Sequence, residues 1–136
     1  MTGDDHAFTL TEAEWRALLT PEQYHVMREH GTERAGSCGL LREKRAGSFA
    51  CAGCGQPLFV GDRKFESGTG WPSFDTPVEG STETTTDRSF GMVRTEVHCA
   101  NCGSHLGHVF PDGPPPTGLR YCINGVALVF QPASAS

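Results

Sequence analysis

The chain has 136 residues, of which 37% are hydrophobic and 20% are charged, and its formal net charge is −5. This length fits one domain with a buried core, and the lack of a Lys/Arg run argues against a nucleic-acid surface. No apolar stretch reaches the roughly 20 residues that a membrane span needs, and the N-terminus lacks the pattern of a secretory signal. We therefore expect a cytoplasmic protein without nucleic-acid or membrane partners, whose reduced cysteines bind metal or take part in chemistry.

A single domain over residues 1–136 is predicted, with tails at about 1–8 and 131–136, and it begins with a short helix. Thr11 and Glu14 have the spacing of a capping box, in which each side chain bonds the other residue's backbone N–H. Trp15, Leu18 and Leu19 recur at helical spacing in TEAEWRALL. We expect these three side chains to face the core.

A second short helix is predicted in TPEQYHVMREHG, with Thr20 as its cap, Pro21 in its first turn and Gly31 as its terminator. Beyond it the pattern favours short strands between turns, around residues 47–50, 57–60, 92–98, 107–110 and 120–130. Residues 92–98 alternate well, with Arg94 and Glu96 on one side. Residues 75–89 are rich in Thr and Ser and read as a polar loop or an edge hairpin. Helices followed by strands indicate a mainly β or α+β antiparallel domain.

Two copies of one motif, CAGCG at 51–55 and CANCG at 99–103, carry four of the six cysteines. A Cys-x-x-Cys turn directs both sulfurs at one ion, and two such turns complete a closed tetrahedral site of the structural kind. The glycine after each motif suits a tight turn with positive φ. Disulfides are disfavoured by the expected compartment, and a redox-active pair would need a βαβ pattern that is absent. We predict one structural Zn²⁺ per chain, bound by Cys51, Cys54, Cys99 and Cys102.

Cys122 lies within RYCINGVALVF, which reads as one strand. Strand alternation places Arg120, Cys122 and Asn124 on one face, with Tyr121 and Ile123 on the other. A lone cysteine in a strand is ordinarily a small buried hydrophobe. A neighbouring guanidinium instead favours the reactive thiolate, although a strand-end arginine is often merely solvated. The polar face therefore favours a functional thiol.

Two further segments carry candidate site residues. His105 and His108 stand three apart in GSHLGHVFPDG and are either ordinary loop histidines, ligands of a metal, or proton donors beside the cysteine. Trp71 stands in SGTGWPSF, a segment stiffened by Pro72, and either plugs the core or forms an apolar wall for a small ligand group. Spacing alone does not choose between these roles.

Together these segments resemble the B-type methionine sulfoxide reductases, which reduce the R epimer of methionine sulfoxide. The similarity runs from about residue 10 to 130 and includes, in order, GTER, CxxCGxPLF, KFxSGxGWPSF, CxxCGSHLGHVFPDGP and PTGLRYCINGVAL. Five ordered motifs are far more specific than any one of them. The resemblance implies a mainly β fold with two antiparallel sheets, short N-terminal helices, and structural zinc held away from the active site.

The resemblance also implies a role for each candidate residue. Cys122 would be the nucleophile, and Trp71 would receive the S-methyl group of the substrate. His105, His108 and Asn124 would surround the sulfoxide oxygen. Arg120 and Asp112 would shape the polar side of the site. The implied partners are methionine-R-sulfoxide in oxidised proteins and thioredoxin as reductant, and a monomer is expected.

This chain departs from the family pattern at the recycling cysteine. Many members carry that cysteine just before the Gly-Trp pair, where this sequence has Thr69. Cys38, in the glycine-flanked segment GSCGL, is the remaining candidate to resolve the sulfenic acid on Cys122. Direct attack by an external reductant is the alternative for recycling.

Two other classes of protein share some of these features. A non-catalytic, zinc-stabilised β domain with a tryptophan-lined pocket would show the same cysteine pairs, but it would not need Cys122 beside two histidines. A zinc hydrolase or deaminase is excluded at the metal, because a closed thiolate shell leaves no position for water. A cysteine hydrolase would use Cys and His without needing a recycling thiol.

Overall fold

Nine strands in two antiparallel sheets dominate the part of the chain that the computed structural model describes, residues 8–29, 31–32, 47–65, 67–88 and 91–132. The two helices are α1 (Glu12–Leu18) and α2 (Pro21–Arg28). The strands are β1 (Gly47–Cys51), β2 (Pro57–Val60), β3 (Lys64–Phe65), β4 (Ser73–Phe74), β5 (Thr82–Asp87), β6 (Arg94–Cys99), β7 (His105–Phe110), β8 (Arg120–Ile123) and β9 (Leu128–Pro132). The predicted fold class, mainly β with two antiparallel sheets and short N-terminal helices, is confirmed.

The sheets differ in size and in what they carry. The small sheet has the order β2-β1-β9, and the large sheet has the order β3-β4-β8-β7-β6-β5. Aromatic rings join the two layers, since Phe59 of the small sheet stacks on Phe74 of the large sheet with ring centroids 4.2 Å apart. Phe49 meets the same Phe74 ring edge-on at 5.2 Å. All three rings are fully buried, so the core lies between the sheets.

The first helix forms as its capping box predicts. The backbone N–H of Thr11 donates to the Glu14 carboxylate, and the N–H of Glu14 donates to the Thr11 hydroxyl. Trp15 and Leu19 are buried, but Leu18 is 51% exposed, so its predicted place in the core is wrong. The helix spans only seven residues and buries a narrow face one turn apart, which includes positions i and i+4 but leaves i+3 in solvent.

The second helix begins at the predicted Thr20 cap and ends at Arg28, earlier than its expected terminator. Gly31 still provides a hydrogen bond to the C-terminal end of this helix, because its N–H donates to the carbonyl of His25 at 2.9 Å. The helices pack on the first Cys-x-x-Cys turn. A Cβ added at Gly53 would lie 2.9 Å from the Trp15 ring, so glycine permits that close approach.

The predicted strand over residues 120–130 is wrong in one respect, because it is two strands in different sheets. β8 belongs to the large sheet and β9 to the small sheet, with a 3₁₀ turn at Gly125–Ala127 between them. The side-chain amide of Asn124 donates to the Leu106 carbonyl, and the N–H of Ala127 donates to the Asn124 carbonyl. These bonds fix the chain where it leaves one sheet for the other. The Asn-Gly pair is the sequence signal for this turn.

Over its described residues, the polar segment at 75–89 supplies one edge strand and not a hairpin of its own, because its partner strand β6 lies outside the segment. β5 pairs with β6 alone, from Thr82 opposite Cys99 to Asp87 opposite Arg94. Every residue of β5 is exposed or half-buried. Neither of the described helices has the length and apolarity needed to cross a membrane.

Candidate active site

A cavity of about 290 Å³ opens on one face of the large sheet. Its lining includes most of the side chains that the sequence singled out and several that it did not. The lining residues are Thr32, Thr69, Trp71, Arg94, Gly107, His108, Phe110, Arg120, Cys122 and Asn124. The cavity therefore combines a thiol, an imidazole, two guanidinium groups and two aromatic rings.

Strand register sets the neighbours of Cys122. Ser73 of β4 and His108 of β7 lie directly opposite it, one on each side. Directly opposed residues project from the same face of a sheet, so the thiol and the imidazole share the cavity side. Tyr121, the preceding residue, projects from the other face toward the core ring of Phe59, 6.0 Å away. The predicted polar face at Arg120, Cys122 and Asn124 is confirmed, and Cys122 is half-buried rather than enclosed in the core.

A bulge in β7 brings the two histidines to the same face. Residues three apart in a regular strand point to opposite faces. The register shifts between Val97 and His98, which face Gly107 and His105, so Leu106 is the extra residue on β7. The rings of His105 and His108 consequently meet edge to face, with centroids 5.6 Å apart.

His108 is the histidine that lines the cavity. Its Nε2 lies 2.8 Å from a carboxylate oxygen of Asp87. Burial lowers the pKa of His108, and the nearby charge of Arg94 lowers it further, while the bond to Asp87 partly offsets both effects. An imidazole of this kind exchanges protons readily near neutral pH.

His105 is buried and is not part of the cavity lining. Its Nδ1 lies 2.5 Å from the Glu96 carboxylate, which is also buried. Burial disfavours the charge on Glu96, but hydrogen bonds from His105 and His98 outweigh it and hold the Glu96 pKa well below its usual range. The structure thus buries His105 beside His108 and outside the cavity lining, where its ring bonds the Glu96 carboxylate.

Arg120 and Asp112 form a bidentate salt bridge at the edge of the cavity. The Arg120 Nε and Nη2 donate to the two carboxylate oxygens at 2.9 and 3.1 Å. The bond to Asp112 raises the pKa of Arg120, and interaction with the Cys122 side chain adds to that rise. The guanidinium also lies 4.5 Å over the Phe110 ring. Asp112 itself is exposed and lies outside the cavity lining, so it reaches the cavity only through Arg120.

Trp71 is held at the cavity by a chain of hydroxyl groups in its own loop. The Trp71 N–H donates to the Thr69 hydroxyl, which bonds to Ser67, and Ser67 bonds to Ser73. Ser73 is the strand partner of Cys122. The loop therefore positions the indole relative to the thiol through hydroxyl groups that bond the Trp71 backbone.

The four paired cysteines form a separate cluster, and none of them lines the cavity. Their sulfur atoms all lie within 4.8 Å of one another, with the Cys51–Cys102 pair at 3.7 Å and the Cys54–Cys99 pair at 3.6 Å. A tetrahedral zinc with Zn–S bonds of about 2.3 Å needs sulfurs about 3.8 Å apart, so the donor set fits the ion. The glycines after the two motifs have the predicted positive φ, 84° and 78°.

Several contributors to the site were not predicted, and Cys38 lies outside the described residues. The unassigned contributors are Thr32, Asp87, Arg94, Glu96, Gly107 and Phe110. Arg94 and Glu96 had a usable signal, because strand alternation placed both on one side of residues 92–98. Asp87 had none, since only strand pairing brings it opposite Arg94.

The sequence is similar to one family over most of its length. A SelR domain model matches residues 19–132. The peptide methionine sulfoxide reductase MsrB of Agrobacterium fabrum is 58% identical over 123 residues, which cover 90% of this chain and 91% of that protein. The MsrB of Pseudomonas putida W619 is 60% identical over 123 residues, with 90% and 92% covered. The MsrB of Bradyrhizobium diazoefficiens is 55% identical over 132 residues, with 96% and 94% covered. The chain therefore belongs to the SelR family, together with these MsrB proteins.

Proposed function

We propose that this protein reduces the R epimer of methionine sulfoxide to methionine, acting on oxidised proteins through the thiolate of Cys122. Membership of the SelR family supports this activity. The observation that carries it is the convergence of Cys122, His108 and Trp71 on one cavity. A binding module without catalysis is not favoured, because it would not need that thiol and imidazole side by side.

The cavity suits the two sides of a sulfoxide group. Trp71 and Phe110 provide apolar surface for the S-methyl group, and His108, Arg120 and Asn124 provide polar groups for the oxygen. Sulfoxide sulfur accepts a nucleophile only when its oxygen is protonated or strongly hydrogen-bonded. A site with proton donors on one side and a thiolate on the other meets that requirement.

The reduction step is balanced by one proton. The Cys122 thiolate attacks the sulfoxide sulfur and forms an S–S bond with the substrate. This S–S bond and the S–O bond of the substrate then break as the oxygen passes to the Cys122 sulfur, which ends as sulfenic acid. His108 gives its proton to that oxygen and is reprotonated from water. Cys122 is oxidised, and the substrate leaves as methionine.

Recycling by Cys38 is part of the proposal. Four of the six cysteines belong to the metal cluster and Cys122 reacts, so Cys38 is the remaining thiol in the sequence. Its sulfur would attack the sulfenic acid, forming a Cys38–Cys122 disulfide and releasing water. The dithiol of thioredoxin would then reduce that disulfide and become oxidised itself. A monomeric protein in the cytoplasm, where thiols are kept reduced, would suit this exchange with thioredoxin.

The metal has a structural role in this proposal. Cys51, Cys54, Cys99 and Cys102 would hold zinc in a closed shell that joins the β1–β2 turn to the β6–β7 turn. Such a shell supplies cross-linking rather than activation of water.

Racemic methionine sulfoxide with dithiothreitol tests the activity directly. The R epimer should disappear while the S epimer persists, as measured by chiral separation. Cys122→Ser should remove this activity, because the serine hydroxyl is a far weaker nucleophile than a thiolate. Loss of both epimers at equal rates, or undiminished activity in the variant, contradicts the proposal.

Cys38→Ser tests recycling separately. The variant should complete one turnover, measured as one methionine per enzyme, and should then stop when thioredoxin is the only reductant. Unchanged steady-state turnover with thioredoxin would show that an external thiol attacks the sulfenic acid directly.

A further inference from the structure

Asp87 is the last residue of β5, and the burial pattern of that strand does not explain why this side chain is largely shielded from solvent. β5 is an edge strand that contributes no buried side chain, in contrast to the neighbouring β6. The carboxylate of Asp87 is nevertheless only 17% exposed. It is therefore directed toward the sheet, whereas Glu83, Thr84, Thr85 and Thr86 of the same strand are exposed.

One oxygen of Asp87 serves two residues of the cavity. Its Oδ2 lies 2.8 Å from Nε2 of His108 and 3.2 Å from Nη2 of Arg94. Both partners line the cavity, whereas Asp87 itself does not. The Asp87–Arg94 pair is also in direct register across β5 and β6, which fixes the carboxylate from the backbone.

This contact determines which nitrogen of His108 is free for the reaction. A carboxylate accepts hydrogen bonds only, so Nε2 of His108 must carry its proton toward Asp87. Among the residues that the structure describes, no hydrogen bond to Nδ1 of His108 is found. A protonated His108 therefore presents Nδ1–H as its remaining donor.

From this geometry we propose that Asp87 is a positioning residue, which orients the His108 ring, favours its protonated form for sulfoxide reduction, and aligns Arg94 through the same oxygen. The role rests on the proposed function, in which His108 supplies the proton. Asp87 acts through His108 and Arg94 and does not touch the substrate.

The charged and titratable groups around His108 define what its titration reports. They come from the four strands β5 to β8 and are Asp87, Arg94, Glu96, His105, Arg120 and Cys122. Among the causes of the His108 pKa shift, the hydrogen bond and charge of Asp87 raise it, while burial, Arg94 and His105 lower it. Removing the Asp87 charge should accordingly lower the His108 pKa.

Asp87→Asn is the variant that tests this role, because it keeps the shape and removes the charge. Reduction needs protonated His108, so the rate of a single turnover falls as pH rises through the His108 pKa. In Asp87→Asn this decline should begin at lower pH, and the single-turnover rate at neutral pH should fall about tenfold, a fraction of what a positioned proton donor contributes. Glu83→Gln, which removes a carboxylate from the same strand, is the matched control. It should leave unchanged the pH at which the single-turnover rate declines.

The titration of His108 followed by NMR gives a readout independent of activity. Asp87→Asn should lower the His108 pKa by an amount equal to the shift of the rate profile. Asp87→Glu, which keeps the charge, should restore most of the shift. An unchanged His108 titration in Asp87→Asn, or an equal change in Glu83→Gln, would overturn the role of Asp87.

The wild-type protein provides a further test that needs no variant. The ¹⁵N shifts of neutral His108 should show the proton on Nε2, and a proton on Nδ1 would overturn the proposal. If the wild type reduced neither epimer, the proposed function would fail, while the NMR measurements would still decide whether Asp87 orients His108.

Discussion

For Trp71, the contribution of the ring to substrate binding can be separated from the hydrogen bonds that hold its loop in place. Its loop is held by the Thr69 hydroxyl and by the Ser73 hydroxyl, which donates to the Trp71 carbonyl. Because those bonds use the backbone of Trp71, removal of the ring leaves them intact. The ring itself lines the cavity.

Trp71→Ala should therefore reduce kcat/KM for a peptide containing methionine-R-sulfoxide by roughly 10- to 100-fold, the range for losing an apolar contact of a few kcal/mol. Trp71→Phe should retain most of the activity. Steady-state kinetics of both variants, with thermal unfolding as the check on folding, measures this. A full-activity Trp71→Ala would show that the S-methyl group is held elsewhere.

The protonation of Glu96 affects the stability of the buried Glu96–His105 pair beside the cavity. Its folded pKa lies below the unfolded value, so the charge contributes stability that is fully present above the unfolded pKa of about 4.3 and is lost as pH falls through the folded pKa. Glu96→Gln should cost about 1–3 kcal/mol of unfolding free energy at neutral pH, since the buried His105 loses a charged partner.

Denaturant unfolding of wild type and Glu96→Gln over an acid pH series measures this difference. The gap between the two proteins should narrow as pH falls below about 4.3. Comparing the two proteins cancels the loss of metal in acid, which affects both equally. A gap that widens in acid would contradict the assigned direction of the pKa shift.

At the scale of elements, the bulge at Leu106 is the feature that assembles the histidine pair. Both the backbone N–H and the side-chain amide of Asn124 donate to the Leu106 carbonyl, at 2.9 and 3.0 Å. Asn124 thus fixes the bulge as well as lining the cavity. The next residue, Gly107, allows β7 and β8 to approach closely, because a Cβ there would lie 2.1 Å from the Cys122 carbonyl oxygen.

Gly107→Ala should force these strands apart, costing about 1–3 kcal/mol of unfolding free energy, the usual range for overpacking, and should also lower activity by displacing Cys122. Gly80→Ala is the control, since Gly80 has a positive φ of 76° but no atom within 4 Å of an added Cβ. The Gly80→Ala variant should lose about 1–2 kcal/mol of unfolding free energy through backbone strain, while its activity stays unchanged. Equal activity losses in both variants would remove the special role of the Gly107 contact.

Periodicity in the sequence predicted the elements better than their pairing. Alternation correctly placed Arg120, Cys122 and Asn124 on one face, and side-chain spacing correctly predicted both helix caps. The bulge that rotates His105 onto the face of His108 could not be predicted, because alternation assumes a regular strand. The exchange of sheets after β8 was missed for a similar reason, since apolar residues continue through the turn.

At the scale of the whole molecule, the four-cysteine cluster brings together turns from the two sheets at a place that can hold a metal ion. The paired motifs were enough to predict the cluster, because Cys-x-x-Cys spacing is local and its chemistry is specific. The Asp87–His108 contact was not predictable, since it joins residues 21 apart through the pairing of three strands. Family resemblance supplied the roles of the site residues, which the spacing of the residues had left open.

Removal of the metal should loosen this junction. A strong chelator should lower the thermal unfolding midpoint by more than about 10 °C, because structural zinc contributes several kcal/mol and each kcal/mol shifts the midpoint by about 2–8 °C in a domain of this size. Elemental analysis should give one zinc per chain before treatment, and Cys38→Ser should not change that value. An unchanged midpoint after complete removal of metal would show that the cluster does not hold the sheets together.

The central claim is that the sulfur of Cys122 takes the oxygen from the substrate. Trapping the sulfenic acid in the Cys38→Ser variant with dimedone, after a single addition of peptide methionine-R-sulfoxide, tests it most directly by peptide mass spectrometry. The predicted result is a label on Cys122 in proportion to the methionine released, and no label with the S epimer. Methionine release without a label on Cys122, or with the label on a cysteine of the metal cluster, would contradict it.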